Sequence, residues 1–133
     1  MSDPVSKSTS EISKKVLVVE DEPGLRMIVE SELTRAGYHV EAISSGVEAI
    51  AFLLRNRYDL AILDIALPGK SGIELLQFIR DRNMPTRVIL LTTMEGLPAA
   101  IKAVRLGADD YVPRPFDAEY LLNAVRMVLR LKN

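Results

Sequence analysis

The chain has 133 residues, 48% of them hydrophobic, and carries a formal net charge of −1 with a pI near 5.9. That length is typical of one domain with one sizeable core. The near-neutral charge excludes a general attraction to nucleic acid or anionic membranes. The absence of cysteine excludes disulfides and thiolate metal sites and fits a cytoplasmic protein. No apolar run reaches the roughly 18 residues of a membrane span.

Residues 1–13 are rich in serine, threonine and lysine and are predicted to form a disordered tail before one domain over residues 14–133. In that domain, short runs rich in valine and isoleucine have the length of strands. In chain order they are Lys15–Val19, Tyr38–Ile43, Leu60–Leu63, Arg87–Leu91 and Asp110–Val112. A stretch with apolar residues at helical spacing follows each run, which predicts five strand–helix units in succession.

The predicted helices have recognisable faces and ends. The spacing predicts that the first, second and fourth helices bury, among others, Ile28, Val47, Leu54, Ile101 and Val104. Pro23 suits a first helical turn, and Gly37 suits a C-terminal stop. Ser44 or Ser45 and Asp117 are candidate N-caps.

Strands that are joined by single helices pair in parallel, with helices on both faces of the sheet. The first, third and fourth runs are continuously apolar, as strands buried on both faces are. The second run has His39 and Glu41 on one face, and Pro113 ends the fifth, so both runs suit sheet edges. We therefore predict an α/β fold with a flavodoxin-like, doubly wound (βα)5 parallel sheet in the strand order 2-1-3-4-5.

Polar residues stand where the predicted strands end. In such a sheet the carboxyl ends of the first and third strands are neighbours, about 4.8 Å apart. These ends carry Glu20, Asp21 and Glu22 on one strand and Asp64 on the other. Oxygen ligands without histidine or cysteine suit Mg²⁺ better than a transition metal, although a solvated acidic strand end is the alternative interpretation.

The fourth and fifth strands end in Thr92 and Arg114, which adds a hydroxyl and a cation to the same rim. A carboxylate nucleophile, a divalent cation, a hydroxyl and a basic side chain are the groups that phosphoryl transfer requires.

Four motifs in order resemble the receiver domains of bacterial response regulators, over about residues 14–131. They are Val-Leu-Val-Val-Glu-Asp-Glu-Pro from Val16, Asp59-Leu-Ala-Ile-Leu-Asp64 with Leu67-Pro68-Gly69 and Gly72, Leu-Leu-Thr92, and Gly107-Ala-Asp-Asp-Tyr-Val-Pro-Arg-Pro-Phe116. The resemblance implies a phosphoacceptor switch of a two-component system, phosphorylated by a sensor histidine kinase or a phosphotransfer protein. It implies no enzyme activity beyond self-phosphorylation and slow self-dephosphorylation.

The resemblance also assigns roles to single residues. Asp64 would accept the phosphoryl group. Mg²⁺ would be bound by Asp64, Asp21, Glu20 and the backbone carbonyl of Ala66. Thr92 and Arg114 would contact phosphoryl oxygens, Tyr111 would be the switch aromatic, and a cis peptide bond would precede Pro115. A downstream protein would bind the face of helix 4, strand 5 and helix 5, without direct contact to nucleic acid or membrane.

Several positions depart from the family pattern. Arg114 replaces the usual lysine, Thr93 the usual alanine, and Glu20 the more usual aspartate. These changes leave open a second function, that of a pseudo-receiver, which is a protein-binding scaffold insensitive to phosphate. The family's winged-helix members dimerise through charge pairs, but two basic positions of that network are Ala100 and Ala124 here, so we expect at most a weak homodimer by other pairs.

Two further expectations concern the phosphate itself. His39, the only histidine, is predicted to lie on the surface of an edge strand, so the phosphoryl group must come from another molecule. Ala66 and Met94 stand where the family tunes hydrolysis, and neither side chain can orient a water molecule. We therefore predict a long-lived phosphoaspartate. Whether the receiver acts alone or within a longer protein stays open.

Overall fold

A computed structural model describes residues 13–130, which form a five-stranded sheet between two layers of helices. In chain order the elements are β1 (Lys15–Val19), α1 (Pro23–Arg35), β2 (His39–Ile43), α2 (Gly46–Arg55), β3 (Leu60–Asp64), α3 (Gly72–Asp81), β4 (Arg87–Thr92), α4 (Leu97–Arg105), β5 (Asp110–Pro113) and α5 (Ala118–Arg130). The strand order is β2-β1-β3-β4-β5 and every pair is parallel. This confirms the predicted flavodoxin-like fold. All but one residue of the predicted tail lie outside the described residues.

The three central strands are buried on both faces, as their continuous apolar sequence predicts. Every residue of Val16–Val19, Leu60–Leu63 and Val88–Leu91 is 0% exposed. The edge strand β2 is half-buried, and its first residue, His39, is exposed at the end of the sheet opposite to Asp64. No helix of the described residues is long and apolar enough to cross a membrane.

The two faces of the sheet have separate cores. One face packs against α1 and α5 through Val29, Leu33, Leu121 and Val125. The other face packs against α2, α3 and α4 through buried residues that include Ala49, Leu53, Leu75, Leu76, Ile79 and Ala103. Helices on both faces leave only the two ends of the sheet open, and the carboxyl end is the one that carries Glu20 and Asp64.

The predicted core faces of three helices were partly wrong. Ile28, Val47, Leu54, Ile101 and Val104 are between 42% and 63% exposed. On α2 the residues against the sheet are Ala49 and Leu53, and on α4 they are Ala100 and Ala103. On α4 both of these residues are alanines, and the larger Ile101 and Val104 lie on more exposed sides of the helix.

The helix ends follow the predicted signals. Ser45, rather than Ser44, caps α2 by accepting from the Glu48 N–H at 3.1 Å. Asp117 accepts from the Tyr120 N–H at 2.8 Å before α5. Gly37 has a φ of 103° after α1, a conformation that glycine adopts without strain.

One arginine fastens the third helix to the far end of the sheet. The Arg80 guanidinium donates to the carbonyls of Gly107, Met84 and Thr86 at 3.0, 3.2 and 2.8 Å. It also pairs with Asp109 at 3.2 Å. Each acceptor lies beyond the helix, so this side chain holds α3 to the loops before β4 and β5.

We expect Arg80→Ala to lower the free energy of unfolding by about 2–3 kcal/mol, because it leaves several carbonyls without their donor. Urea unfolding followed by circular dichroism measures this change. Arg35→Ala is the matched control, since Arg35 is 73% exposed on the side chain and its pair with Glu32 is 3.8 Å long. The control should lose less than about 0.5 kcal/mol. Equal losses in the two variants would contradict the role of Arg80.

Candidate functional site

Strand register brings the polar residues of four strand ends to one rim. Val19 pairs with Leu63, so the residues that follow them, Glu20 and Asp64, are neighbours. Asp64 pairs with Leu91, which places Thr92 one residue beyond it, and Thr92 pairs with Pro113 directly before Arg114. The parallel register therefore assembles the cluster that the sequence predicts.

The Asp64 carboxylate lies almost buried at the centre of this rim. The residue is 2% exposed. Its Oδ1 accepts from the Ala66 N–H at 3.1 Å and from Nη2 of Arg114 at 3.0 Å. Both hydrogen bonds hold the carboxylate by the same oxygen, and a carboxylate is the nucleophile that an aspartyl-phosphate requires.

Glu20 is completely buried beside Asp64 and is only partly satisfied. Its Oε2 accepts from the Glu22 N–H at 3.1 Å. Its Oε1 is buried without a hydrogen bond, and the nearest cation is Nη1 of Arg114 at 3.8 Å. Burial raises the pKa of Glu20 to about 7. The Glu22 N–H opposes this rise in pKa, the Asp64 carboxylate adds to it, and Arg114 opposes it.

The acidic residues fit a divalent cation. One carboxylate oxygen from each of Glu20, Asp21 and Asp64 lies within 4.8 Å of the others. Glu20 and Asp64 are buried, whereas Asp21 is exposed. The unbonded Oε1 of Glu20 is the kind of buried oxygen that a cation would satisfy. An all-oxygen donor set of this size suits Mg²⁺.

Glu22, the third acidic residue after β1, caps a helix and is not part of the acidic cluster. The side chain of Glu22 accepts from the Leu25 N–H at 2.9 Å and caps the N-terminus of α1. Arg26, one turn into the same helix, donates to the carbonyl of Glu20 at 2.9 Å. Sequence reasoning missed Arg26, although a cation six residues after an acidic strand end is a signal that could have found it. These contacts fix the loop that carries Asp21.

Thr92 is buried at the rim, and its hydroxyl donates to the Thr93 carbonyl at 2.9 Å. Thr93 is exposed, and its hydroxyl accepts from the Gly96 N–H at 3.2 Å. A Cβ on Gly96 would stand 2.5 Å from Oγ1 of Thr92, so only glycine lets the chain pass this close. The role of Gly96 could not be predicted from the sequence, because the close approach depends on the fold of the loop.

The remaining predicted site residues are near the rim but not all within it. The Arg114–Pro115 peptide bond is cis, as predicted. Tyr111 is half-buried on β5, where it pairs with Leu90 of β4. It packs against the core on the face of the sheet that α2, α3 and α4 cover. None of its described hydrogen bonds reaches Asp64 or Thr92. Its role as a switch therefore stays a prediction.

Comparison with known proteins decides the family. The family model of the response regulator receiver domain matches residues 16–126, and these residues contain four complete strands, all but the first residue of β1, and the whole acidic rim. The chain belongs to the response regulator receiver family. Five parallel strands in the order found here are the fold of that family's solved structures, so the receiver domain rests on both sequence and architecture.

Relatives of this receiver domain are transcriptional regulators by name. The chain is 38% identical over 115 residues to the transcriptional regulatory protein YkoG of Bacillus subtilis, covering 86% of the chain and 50% of the relative. It is 40% identical over 116 residues to the transcriptional activator protein IrlR of Burkholderia pseudomallei, covering 87% of the chain and 50% of the relative. The chain spans about half the length of these relatives.

Among solved structures, the receiver domain of Francisella response regulator 1452 is similar, with a TM-score of 0.84 and 27% identity. That match covers 91% of this chain and 100% of the other.

Proposed function

We propose that this receiver domain accepts a phosphoryl group on Asp64, in the presence of Mg²⁺, from a sensor histidine kinase or a phosphotransfer protein. The observation that carries the proposal is the Asp64 carboxylate itself. It is almost buried, lies between an acidic cluster and Arg114, and has both of its described hydrogen bonds on one oxygen, Oδ1. The second oxygen, Oδ2, is then the one that is available to attack phosphorus.

In the proposed step, an oxygen of Asp64 forms a bond to phosphorus while the bond from phosphorus to the donor's nitrogen or oxygen breaks. The electron pair of the broken bond stays on the leaving atom, which takes up a proton from solvent. Mg²⁺ held by Glu20, Asp21 and Asp64 would neutralise charge on the phosphoryl oxygens. This transfer to its own side chain is the only chemistry that we propose for the domain.

Thr92 and Arg114 would respond to the new phosphoryl group. The Thr92 hydroxyl now donates to the Thr93 carbonyl, and it would have to rotate away to donate to a phosphoryl oxygen. Arg114 already reaches Oδ1 of Asp64, so its guanidinium would meet the phosphoryl oxygens with little movement. We propose that these two changes start the switch, with Tyr111 following.

A cleft beside the site could admit the phosphorylated side chain of a donor protein. A cleft of about 400 Å³ beside the site is lined by Glu22, Leu25, Arg114, Pro115 and Phe116. We propose that the donor's phosphohistidine enters across this cleft.

The output face is proposed to be that of α4, β5 and α5. It exposes Ile101, Val104, Leu106 and Tyr120, which are between 42% and 52% accessible. In a longer protein such as the named relatives, contact with nucleic acid would belong to a linked domain.

The expectation of at most a weak homodimer rested on the alanines at positions 100 and 124. Ala100 is 0% exposed and lies on the side of α4 that packs in the core. Ala124 is half-buried on α5. The small residue at position 100 is explained by packing, and a weak homodimer stays a prediction.

A phosphorylation-insensitive scaffold is the second candidate function, because Arg114 and Thr93 depart from the family pattern. Beryllofluoride with Mg²⁺, followed by amide NMR shifts, separates the two functions. Shifts at the rim that extend to Tyr111 and α4 support a working switch. Shifts confined to the rim mean that binding survives without coupling, and no shifts at all support the scaffold.

The phosphorylated form should be long-lived, because Ala66 and Met94 cannot orient a water molecule toward phosphorus. Both residues are exposed, with Met94 at 66%, so bulk water can reach the site. We expect hydrolysis to be limited by the orientation of that water. The decay of the phosphoprotein in the absence of a phosphatase measures this. Ala66→Glu should shorten the lifetime by roughly a hundredfold, the low end of the effect of one general base. Decay as fast in the unaltered protein as in the variant would contradict the prediction.

A further inference from the structure

Arg114 bridges the two buried carboxylates of the rim. Its Nη2 lies 3.0 Å from Oδ1 of Asp64, and its Nη1 lies 3.8 Å from Oε1 of Glu20. The guanidinium is a rigid fork, so two different nitrogens of one side chain face the two acids, whereas a lysine presents a single ammonium. The fork is 23% exposed on the side chain, while the acids it bridges are 0% and 3% exposed.

The bridge joins the same two carboxylates that belong to the acidic cluster. Glu20 and Asp64 both supply oxygens to the cluster within 4.8 Å, and Oε1 of Glu20 has no hydrogen bond of its own. The nearest positive charge to that oxygen is therefore Nη1 of Arg114. A divalent cation that binds Oε1 brings two more positive charges against the guanidinium, so the two cations compete for the same acid.

The Arg114 guanidinium is only partly hydrogen-bonded in this position. Nε of Arg114 is buried without a hydrogen-bond partner, and the contact to Glu20 is longer than a hydrogen bond. On the Glu20 side the fork is held by charge alone, so Nη1 can leave Glu20 without breaking a described hydrogen bond, while Nη2 keeps its hydrogen bond to Asp64.

We propose that Arg114 is an internal competitor of Mg²⁺, a positioning residue whose release from Glu20 is coupled to metal binding. The inference rests on the proposed function, and it concerns the unphosphorylated domain. The guanidinium keeps the affinity for metal low until the ion displaces Nη1 from Glu20. Nη1 is then free to contact a phosphoryl oxygen on Asp64.

The test is a Mg²⁺ titration of the unphosphorylated protein, followed by the amide NMR shifts of Asp21 and Asp64. The titration is made at about pH 8, where Glu20 is ionised. Arg114→Lys keeps the charge but removes the fork, and it should bind Mg²⁺ roughly fivefold more tightly, the upper range for one ion pair. Arg55→Lys, at the opposite end of the sheet, is the matched control and should leave the affinity unchanged.

The outcomes separate this inference from the function. Affinities of Arg114→Lys and unaltered protein within about twofold would overturn the inference alone. Tightening by Arg114→Gln but not by Arg114→Lys would also overturn it, because charge and not the fork would then be responsible. Absence of Mg²⁺-dependent shifts in every protein would overturn the inference together with the metal dependence of the proposed function.

A measurement on the unaltered protein does not depend on how the variants fold. The Nε–H resonance of Arg114 should move at the same Mg²⁺ concentration as the amides of Asp21 and Asp64. A resonance that stays in place through the titration would overturn the inference.

Discussion

Glu20→Gln is expected to stabilise the metal-free domain above neutral pH by about 2 kcal/mol. Glu20 is completely buried, and burial raises its pKa to about 7 from its ordinary 4.5. The folded state therefore holds a proton that the unfolded state has already lost between these two values. Stability falls as pH rises through this window, and the destabilisation is complete above the folded pKa. Glutamine, which is neutral at every pH, removes it.

Urea unfolding in a chelator, followed by circular dichroism at several pH values, measures this effect. Near the ordinary pKa the glutamate is protonated in the folded state, so the variant and the unaltered protein should differ by less than about 0.5 kcal/mol. Glu30→Gln removes the same charge from an exposed position of α1 and is the matched control. A stability difference between Glu20→Gln and unaltered protein that is the same at every pH would contradict the assignment.

Added Mg²⁺ should reverse the order of the two proteins. The unaltered domain gains stability in proportion to the logarithm of metal concentration over its dissociation constant, because the ion binds the folded state. The variant has lost one ligand oxygen and gains less. Stabilisation by Mg²⁺ that is equal in both proteins would remove Glu20 from the metal site.

Gly72→Ala is expected to lower the free energy of unfolding by about 3 kcal/mol, the upper range for an overpacked core position. A Cβ at this position would lie 2.4 Å from the carbonyl oxygen of Asp64, 2.9 Å from its carbonyl carbon and 3.0 Å from Cα of Ile65. All three are backbone atoms, so either the start of α3 or the end of β3 must move. The phosphorylation rate of the folded variant should fall by more than about tenfold, because the nucleophile moves with its backbone.

Gly24→Ala is the matched control for this substitution. Gly24 lies in the first turn of α1, and its Cβ would meet only the side-chain Oε2 of Glu22 at 3.3 Å. The helix propensity of alanine should stabilise this variant by up to about 1 kcal/mol. Thermal unfolding and a timed phosphorylation assay on both variants measure the pair of effects. Normal stability and rate in Gly72→Ala would contradict the packing of α3 on Asp64.

The fold could be predicted because each strand has a recognisable local sequence pattern. Runs such as Leu60–Leu63 are apolar at every position, and only a strand covered on both faces buries all of them. Parallel pairing then follows from the single helix between successive strands. The rim could be predicted for the same reason, since Glu20, Asp64 and Thr92 directly follow or end such runs.

The helix faces and the fine geometry of the rim could not be predicted in the same way. Spacing puts Ile101 and Ala100 on adjacent faces of α4, and it does not say that the smaller residue meets the sheet. Two contacts at the rim depend on the direction that a side chain takes from a loop. Glu22 caps α1 and does not join the acidic cluster, and Arg114 bridges two acids. Only the three-dimensional arrangement of several strand ends determines these contacts.

The central claim is that Asp64 takes the phosphoryl group with the help of Mg²⁺. The most direct test is to incubate the protein with acetyl phosphate and Mg²⁺, measure its intact mass, and locate the modification by peptide mapping after borohydride reduction. We predict one added phosphoryl group, located on Asp64, that is absent in Asp64→Asn and in the presence of a chelator. An unchanged mass with Mg²⁺ present, or a phosphoryl group that persists in Asp64→Asn, would contradict the claim.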